Sequence, residues 1–331
     1  MLKIGIAGMG RLGRFHAGKL QNNPQSRLEG CFDILPQRNT EAAREHHIRA
    51  FNSFDEMLEN VDAVDIAATT SAHYELAKKA LLAGKPIFVE KPLCAELWQA
   101  QELVELAEEP GLKIQVGHIE RFNPIIQKAL EFIQAPLFIE SSRVSSFQPR
   151  GTDVSVVLDL MIHDIDLILG FTQSPVSAVH ASGAGILSPS LDIANARIEF
   201  ASGAVANVTS SRVALKQERQ IRFFQRDAYF SLDLISKTGV LVRKNEAFAD
   251  LFQKNEGKIP TEAEAKQFFD IQKLDASGDD DALQTELDLW VESILQDKDP
   301  VVDGRAGLRA LETAILISNA IKKQPQFEDK P

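Results

Sequence analysis

The chain has 331 residues, 44% of them hydrophobic and 25% charged, and its 36 Lys and Arg against 47 Asp and Glu give a formal charge of −11. That length suits two domains of roughly 100 to 200 residues each, the apolar content excludes a disordered chain, and the acidic balance leaves no footprint for nucleic acid as a partner. No run approaches the ~20 uncharged apolar residues of a membrane span, and Met1 leads into Ile4 to Ala7 without a basic leader or cleavage site, so the expected location is cytoplasmic, away from membranes.

From residue 1 to residue 120, short β-rich runs alternate with helical ones. Leu2 to Ala7, Arg27 to Asp33, Val61 to Ala67, Pro86 to Glu90 and Lys113 to Gly117 read as strands, and Arg14 to Gln21, Asn39 to His46, Ala72 to Ala83 and Ala95 to Glu108 as helices. This alternation predicts an α/β fold with a doubly wound parallel sheet of the Rossmann type over 1–120.

Past residue 120 the pattern changes, and 121–331 is expected to form a second, α+β domain that binds substrate and carries oligomer contacts. Asn123 and Pro124 open a helix, followed by strands over Pro136 to Phe147, Val176 to Ile186, Asn195 to Phe200, Val205 to Ser210, Ile221 to Phe224 and Tyr229 to Leu232. Ser202-Gly203 and Arg226-Asp227 are hairpin signals, so the sheet is expected to be open and mostly antiparallel. Residues 244–282 read as a polar excursion, partly helical around Glu262 to Phe269. Amphipathic helices over Leu283 to Leu295 and 304–321 end the chain, the last one a candidate to pack back on the first domain.

Leu2 to Ala7 runs into Gly8-Met9-Gly10-Arg11-Leu12-Gly13 and then a helix, the strand-turn-helix context of a dinucleotide fingerprint. Gly8 permits a tight turn, Gly10 lets backbone amides approach a pyrophosphate, and Gly13 allows close packing of helix on strand. Asp33 ends the second strand at the spacing of an acid that hydrogen-bonds a ribose 2′-OH. Its charge repels a 2′-phosphate, so NAD is the expected cofactor, while Arg38 nearby leaves NADP open. Thr69 and Thr70 follow the next apolar run, where open sheets bind ligands. Capping of the helix that follows is compatible with the same position. His73, in its first turn, is either structural or a cofactor neighbour.

Glu90-Lys91-Pro92 closes the strand Ile87 to Val89 and puts two opposite charges at the mouth of the sheet. The segment Asp153 to Phe171 is apolar in every direction and so buried on nearly all sides, yet it carries Asp159, His163, Asp164 and Asp166. Asp159 and His163 are i and i+4, which lets a carboxylate orient an imidazole and raise its basicity, a suitable general base near neutral pH. Asp164 and Asp166 are expected at the helix's wetter edge. Cys31 and Cys94 are too few for a disulfide framework and lack metal-ligand spacing. They read as half-buried thiols, and no metal is expected.

The glycine turn, Glu90-Lys91-Pro92 and Asp159-x-x-x-His163, in this order before an antiparallel domain, resemble the Gfo/Idh/MocA oxidoreductases. Val116-Gly117-His118-Ile119-Glu120-Arg121-Phe122-Asn123-Pro124 and Asp153-Val154-Ser155-Val156-Val157-Leu158-Asp159-Leu160 further resemble the subgroup of UDP-N-acetylglucosamine 3-dehydrogenases. The resemblance implies oxidation of a sugar hydroxyl to a ketone by hydride transfer, with Lys91, Asp159 and His163 catalytic. It implies cofactor contacts from Gly8, Met9, Gly10, Arg11, Leu12, Gly13, Asp33, Thr69, Thr70, His73, Glu90, Lys91 and His118. Arg121 and Arg150 either meet a substrate diphosphate or are ordinary surface charge. Asn123 is either a substrate contact or an N-cap before Pro124. The sugar or nucleotide-sugar substrate is thus UDP-N-acetylglucosamine, or alternatively a free sugar or inositol-type polyol, and a different class of reading is a catalytically silent NAD(P)-sensing protein. A homodimer or homotetramer through the C-terminal sheet is also expected, the alternative being that the excursion over 244–282 covers that face within one subunit. Phe223 and Phe224 are strand neighbours, as are Tyr229 and Leu232 at odd spacing, so both faces of the C-terminal sheet carry large apolar groups.

Overall fold

The computed structural model describes residues 1–147, 154–248, 261, 266–278 and 281–324. Two compact units divide the chain: Met1–Phe122 with Asp281–Ile315, and Asn123–Asp280 with Leu316–Pro331.

In the first unit a six-stranded sheet has the order β3-β2-β1-β4-β5-β6, every pair parallel. Its strands are β1 (Leu2–Ala7), β2 (Ser26–Phe32), β3 (Arg49–Ala50), β4 (Ala63–Ile66), β5 (Ile87–Glu90) and β6 (Ile114–Gly117). Between them run α1 (Arg11–Asn22), α2 (Pro36–His46), α3 (Phe54–Asn60), α4 (Thr70–Leu82) and α5 (Leu97–Glu108). The alternation of sequence patterns predicts all of these except β3 and α3. The strand order reverses between β1 and β4, so the loops after those strands open a crevice at the switch point.

The sequence assignment of 121–331 to one domain needs correction for Asp281–Ile315. On α8 (Ala282–Leu295), Leu287, Trp290 and Val291 are fully buried in one apolar cluster with Leu2, Ile4, Ile6, Met9 and Phe88. The Trp290 ring meets the Phe88 ring edge-on at 5.7 Å. Hydrophobic burial is indifferent to chain position. The first part of α9 (Gly304–Lys322) lies against β6, where a Cβ at Gly307 would come within 2.6 Å of Val116.

The second unit is built on an eight-stranded sheet in the order β14-β13-β12-β11-β7-β10-β9-β8. β7 (Phe138–Val144) and β10 (Val205–Ser211) are parallel, and every other neighbour pair is antiparallel. β8 (Val176–Ala184), β9 (Ile193–Phe200), β11 (Glu218–Phe224) and β12 (Ala228–Asp233) follow the sequence pattern. β13 (Thr238–Lys244) and β14 (Phe269–Asp275) extend the sheet, so the excursion expected over 244–282 supplies an edge strand. The first half of its expected helix, 262–265, lies outside the described residues, and the last residue, Phe269, opens β14.

One face of this sheet is covered by α6 (Pro124–Ala129) and α7 (Ile162–Thr172), and Phe171 meets the buried Phe223 ring at 4.7 Å. Asp164 and Asp166 are both buried, not at a wet edge. Asp164 accepts two bonds from the Arg143 guanidinium, at 2.9 and 2.8 Å, and a buried carboxylate is tolerable with such a partner. The opposite face carries a row of Val205, Phe138, Phe224, Tyr229, Val242 and Ile271, each directly across from the next. The adjacent row is polar except for Val240: Asn207, Glu140, Arg222, Ser231 and Lys273. Cys31 and Cys94 are fully buried free thiols, beyond the half-burial expected. Burial pushes them up to about 11 and about 12. Among the described residues no helix is long and apolar enough to cross a membrane.

Candidate active site

After β1 the chain turns at Gly8, whose φ of +97° lies in the left-handed region, and a Cβ there would meet Ala68 at 2.6 Å. At Gly13 a Cβ would stand 2.0 Å from the Gly8 carbonyl oxygen, so helix and turn can touch only through glycine. At Gly10 a Cβ would meet nothing within 4 Å. That open space lies at the N-terminus of α1, which has no side-chain cap and no acid in its first turn. Its unpaired amides and positive dipole end suit a pyrophosphate. Met9 buries its side chain in the core, leaving its backbone to the turn, while Arg11 and Leu12 are exposed.

Asp33 does more than its spacing predicts. One carboxylate oxygen accepts the Met9 backbone N–H at 2.8 Å and the other the Leu35 N–H at 2.9 Å, with Arg38 at 3.6 Å. Each oxygen retains a lone pair, so the same group that fixes the turn can receive ribose hydroxyls. Asp33→Ser is expected to weaken NAD binding by about 10- to 100-fold, since a hydrogen bond to a charged group is worth about 1.5–3 kcal/mol. Discrimination against NADP should relax with it. Titrating both cofactors by fluorescence checks this, and unchanged affinity and preference would assign the ribose to another residue.

Thr69 is the N-cap residue of α4 and Thr70 its first residue, but the Thr69 side chain makes no capping bond and meets the Ser71 hydroxyl at 3.2 Å. His73 is buried between two carbonyls, Nδ1 at 2.9 Å from Pro92 and Nε2 at 3.1 Å from Ala68. Burial lowers its proton affinity, and the geometry is that of a staple joining the loops after β4 and β5.

Lys91 follows β5 directly, at the carboxyl end of the sheet. Glu90 is not a surface partner of it: its side chain turns inward, one oxygen 3.1 Å from His16 Nε2 and the other accepting the Lys91 backbone N–H at 3.1 Å. His16 and Asp65, joined at 2.9 Å, escape motif reading. The one sequence signal for them is an acid inside the apolar run Ala63 to Ile66. Past β6, His118 is buried and leads a 3₁₀ turn (Ile119–Phe122) that carries the half-buried Arg121.

These residues lie in the first unit; Asn123, Asp159 and His163 lie in the second. Asn123 caps α6, its Oδ1 accepting from Ile125 N at 3.2 Å and its Nδ2 donating to the Leu234 carbonyl at 3.0 Å, with Pro124 in the first turn. The capping alternative is therefore built. Asp159 sits in a π-helical turn (Val157–Met161) that runs into α7, where His163 is the second residue. The wider π turn departs from the simple i, i+4 stacking expected, and such turns recur at functional sites. Both side chains are half-buried among fully buried Val157, Met161, Ile162 and Asp164. Arg150 lies outside the described residues.

A parallel sheet of this strand order, with a glycine turn and an acid poised at its switch point and an open cradle at Gly10, defines an NAD-binding domain of an oxidoreductase, and its residues fit the cofactor. Residues 2–118 match the oxidoreductase family with NAD-binding Rossmann fold, and residues 139–230 match the Gfo/Idh/MocA C-terminal domain. The chain belongs to the Gfo/Idh/MocA family. It is 34% identical over 323 residues, 97% of each chain, to the UDP-N-acetylglucosamine 3-dehydrogenase of Acidithiobacillus ferrooxidans. A solved structure of that enzyme superposes with a TM-score of 0.87 over 98% of each chain at 33% identity. The scyllo-inositol 2-dehydrogenase (NAD(+)) of Bacillus subtilis is 31% identical over 232 residues, 64% of this chain and 68% of its own.

Proposed function

We propose that the chain oxidises the 3-hydroxyl of UDP-N-acetylglucosamine to the ketone. The observation that carries this reading is similarity to a dehydrogenase of that substrate along 97% of both chains, whereas the inositol dehydrogenase matches 64% of this one. Bound NAD supplies the hydride acceptor. Lys91 hydrogen-bonds the reacting hydroxyl oxygen and stabilises the negative charge that develops on it. His163 takes the hydroxyl proton on an imidazole nitrogen, and Asp159 orients that ring. Arg121 and Arg150 receive the diphosphate, whose geometry a guanidinium matches. A thermal-shift panel of nucleotide sugars and polyols with NAD present tests the reading, because a ligand that binds only the native state raises its melting temperature. UDP-N-acetylglucosamine should give the largest shift and reduce NAD; a shift and turnover with an inositol alone would replace the substrate.

The same reading includes a homo-oligomer formed through the open sheet. The row from Val205 to Ile271 leaves Ile271 62% exposed, and the Phe224 ring in it meets Phe138 edge-on at 5.8 Å and Tyr229 at a tilt at 4.9 Å. A two-fold axis would apply this row to its own copy. Phe224→Asp is expected to convert a dimer or tetramer to monomer in light scattering at micromolar concentration, and a monomeric mass for the unaltered protein would refute the contact.

A further inference from the structure

We propose that His16 is a positioning residue for Lys91: its imidazole grips one oxygen of Glu90 so that the other holds the Lys91 backbone N–H at the mouth of the sheet. The proposal rests on the reading of Lys91 as a group that acts on the substrate hydroxyl.

Four elements of the first unit build this arrangement. α1 brings His16, fully buried, over β4 and β5. Asp65 on β4 stands 2.9 Å from Nδ1, and Glu90 at the end of β5 stands 3.1 Å from Nε2. The Phe88 ring, between them on the sheet, meets the imidazole edge-on at 5.4 Å. On β6, Gly117 lies directly across from Glu90 in the parallel register. A Cβ at Gly117 would come within 3.1 Å of the Glu90 carboxylate, so the absent side chain leaves room for that group.

The proton count gives the arrangement its force. A neutral imidazole donates from one nitrogen and accepts at the other, whereas two carboxylates offer only acceptors. Both contacts are satisfied together when a further proton resides in the cluster. Burial opposes charge on His16, but Asp65 and Glu90 outweigh it and hold its proton well above the usual imidazole range. Burial likewise opposes charge on Glu90, yet His16 and Lys91 keep it below the usual carboxylate range. Of the other elements packed on α1, α2 sends Glu41 and Glu45 to Arg14, and α8 carries the buried Glu286. The imidazolium is therefore a clamp between two strands, and its grip ends one backbone bond from Lys91.

The test compares the holoenzyme with three variants. His16→Gln and Gly117→Ala disturb Glu90 from opposite sides and should each lower kcat by about 10- to 100-fold, the scale of a small misplacement of a reacting group. The KM for the sugar and the Kd for NAD should stay within about twofold. Asp65→Asn removes one of the two charges that hold the proton, but its amide can donate to Nδ1 of a neutral ring whose Nε2–H stays on Glu90, so its kcat should fall less than that of His16→Gln. Purely structural packing predicts a lower melting temperature with kcat of the folded enzyme unchanged, and that result overturns the proposal. Should the unaltered enzyme not turn over UDP-N-acetylglucosamine, the substrate reading fails separately. The variants are then compared on the NMR resonance of ¹³C-dimethylated Lys91, assigned with Lys91→Arg: a signal displaced in His16→Gln and in Gly117→Ala supports the clamp, and an unmoved signal in both refutes it.

Discussion

Replacing Lys91 or His163 by alanine is expected to lower turnover by about 10²- to 10⁴-fold, the usual worth of an acid-base group in the transition state, while NAD affinity changes little. The separation follows from where the groups stand. The glycine turn Gly8 to Gly13 and the carboxylate of Asp33 follow β1 and β2, whereas Lys91 follows β5. Single-turnover measurement of NADH formation with UDP-N-acetylglucosamine isolates the chemical step from product release. A variant that keeps near-normal turnover loses its assigned role. Equal loss of NAD binding would instead place that residue in the cofactor site.

The second large effect is on stability. Trp290→Ala should cost about 3–5 kcal/mol, as truncation of a fully buried aromatic side chain does. Trp290 is 0% exposed in the core shared with β1 and β5, and its ring nitrogen has no hydrogen-bond partner there. Trp290→Phe should therefore cost much less, because it preserves the edge contact with Phe88 and removes an unsatisfied buried donor. Urea unfolding followed by circular dichroism, with and without NAD, measures both. A negligible cost for Trp290→Ala would detach α8 from the core of the NAD-binding unit.

Much of the fold is legible along the chain because its signals are local. Apolar runs of strand length alternate with helical periodicity over 1–120, and the glycine turn appears where a strand meets a helix. The reasons assigned to Gly8 and Gly13 hold in a φ of +97° at the turn and in a hypothetical Gly13 Cβ only 2.0 Å from the Gly8 carbonyl oxygen. β13 and β14 are less legible: one follows a hairpin, while the other lies in a polar stretch whose exposed residues give no strong alternation, and cross-strand pairing makes it a strand. The burial of Asp164 is hidden for a similar reason. Helical position alone places it near polar neighbours, and only the arrival of Arg143 from β7 makes a buried carboxylate affordable.

The amino-acid sequence by itself determines the family, the cofactor and the two-part α/β and α+β architecture, because each follows from motifs whose residues are close together and whose physics is steric or periodic. The tertiary structure decides which partners the ionisable groups find. Asp33 ties the glycine turn through Met9, Glu90 turns inward to His16, His73 staples two loops, and α8, which begins 165 residues after the end of β6, completes the first core. Hydrogen bonds and burial depend on distance in space, and separation along the chain carries almost no record of it until the sheet has brought the strands side by side.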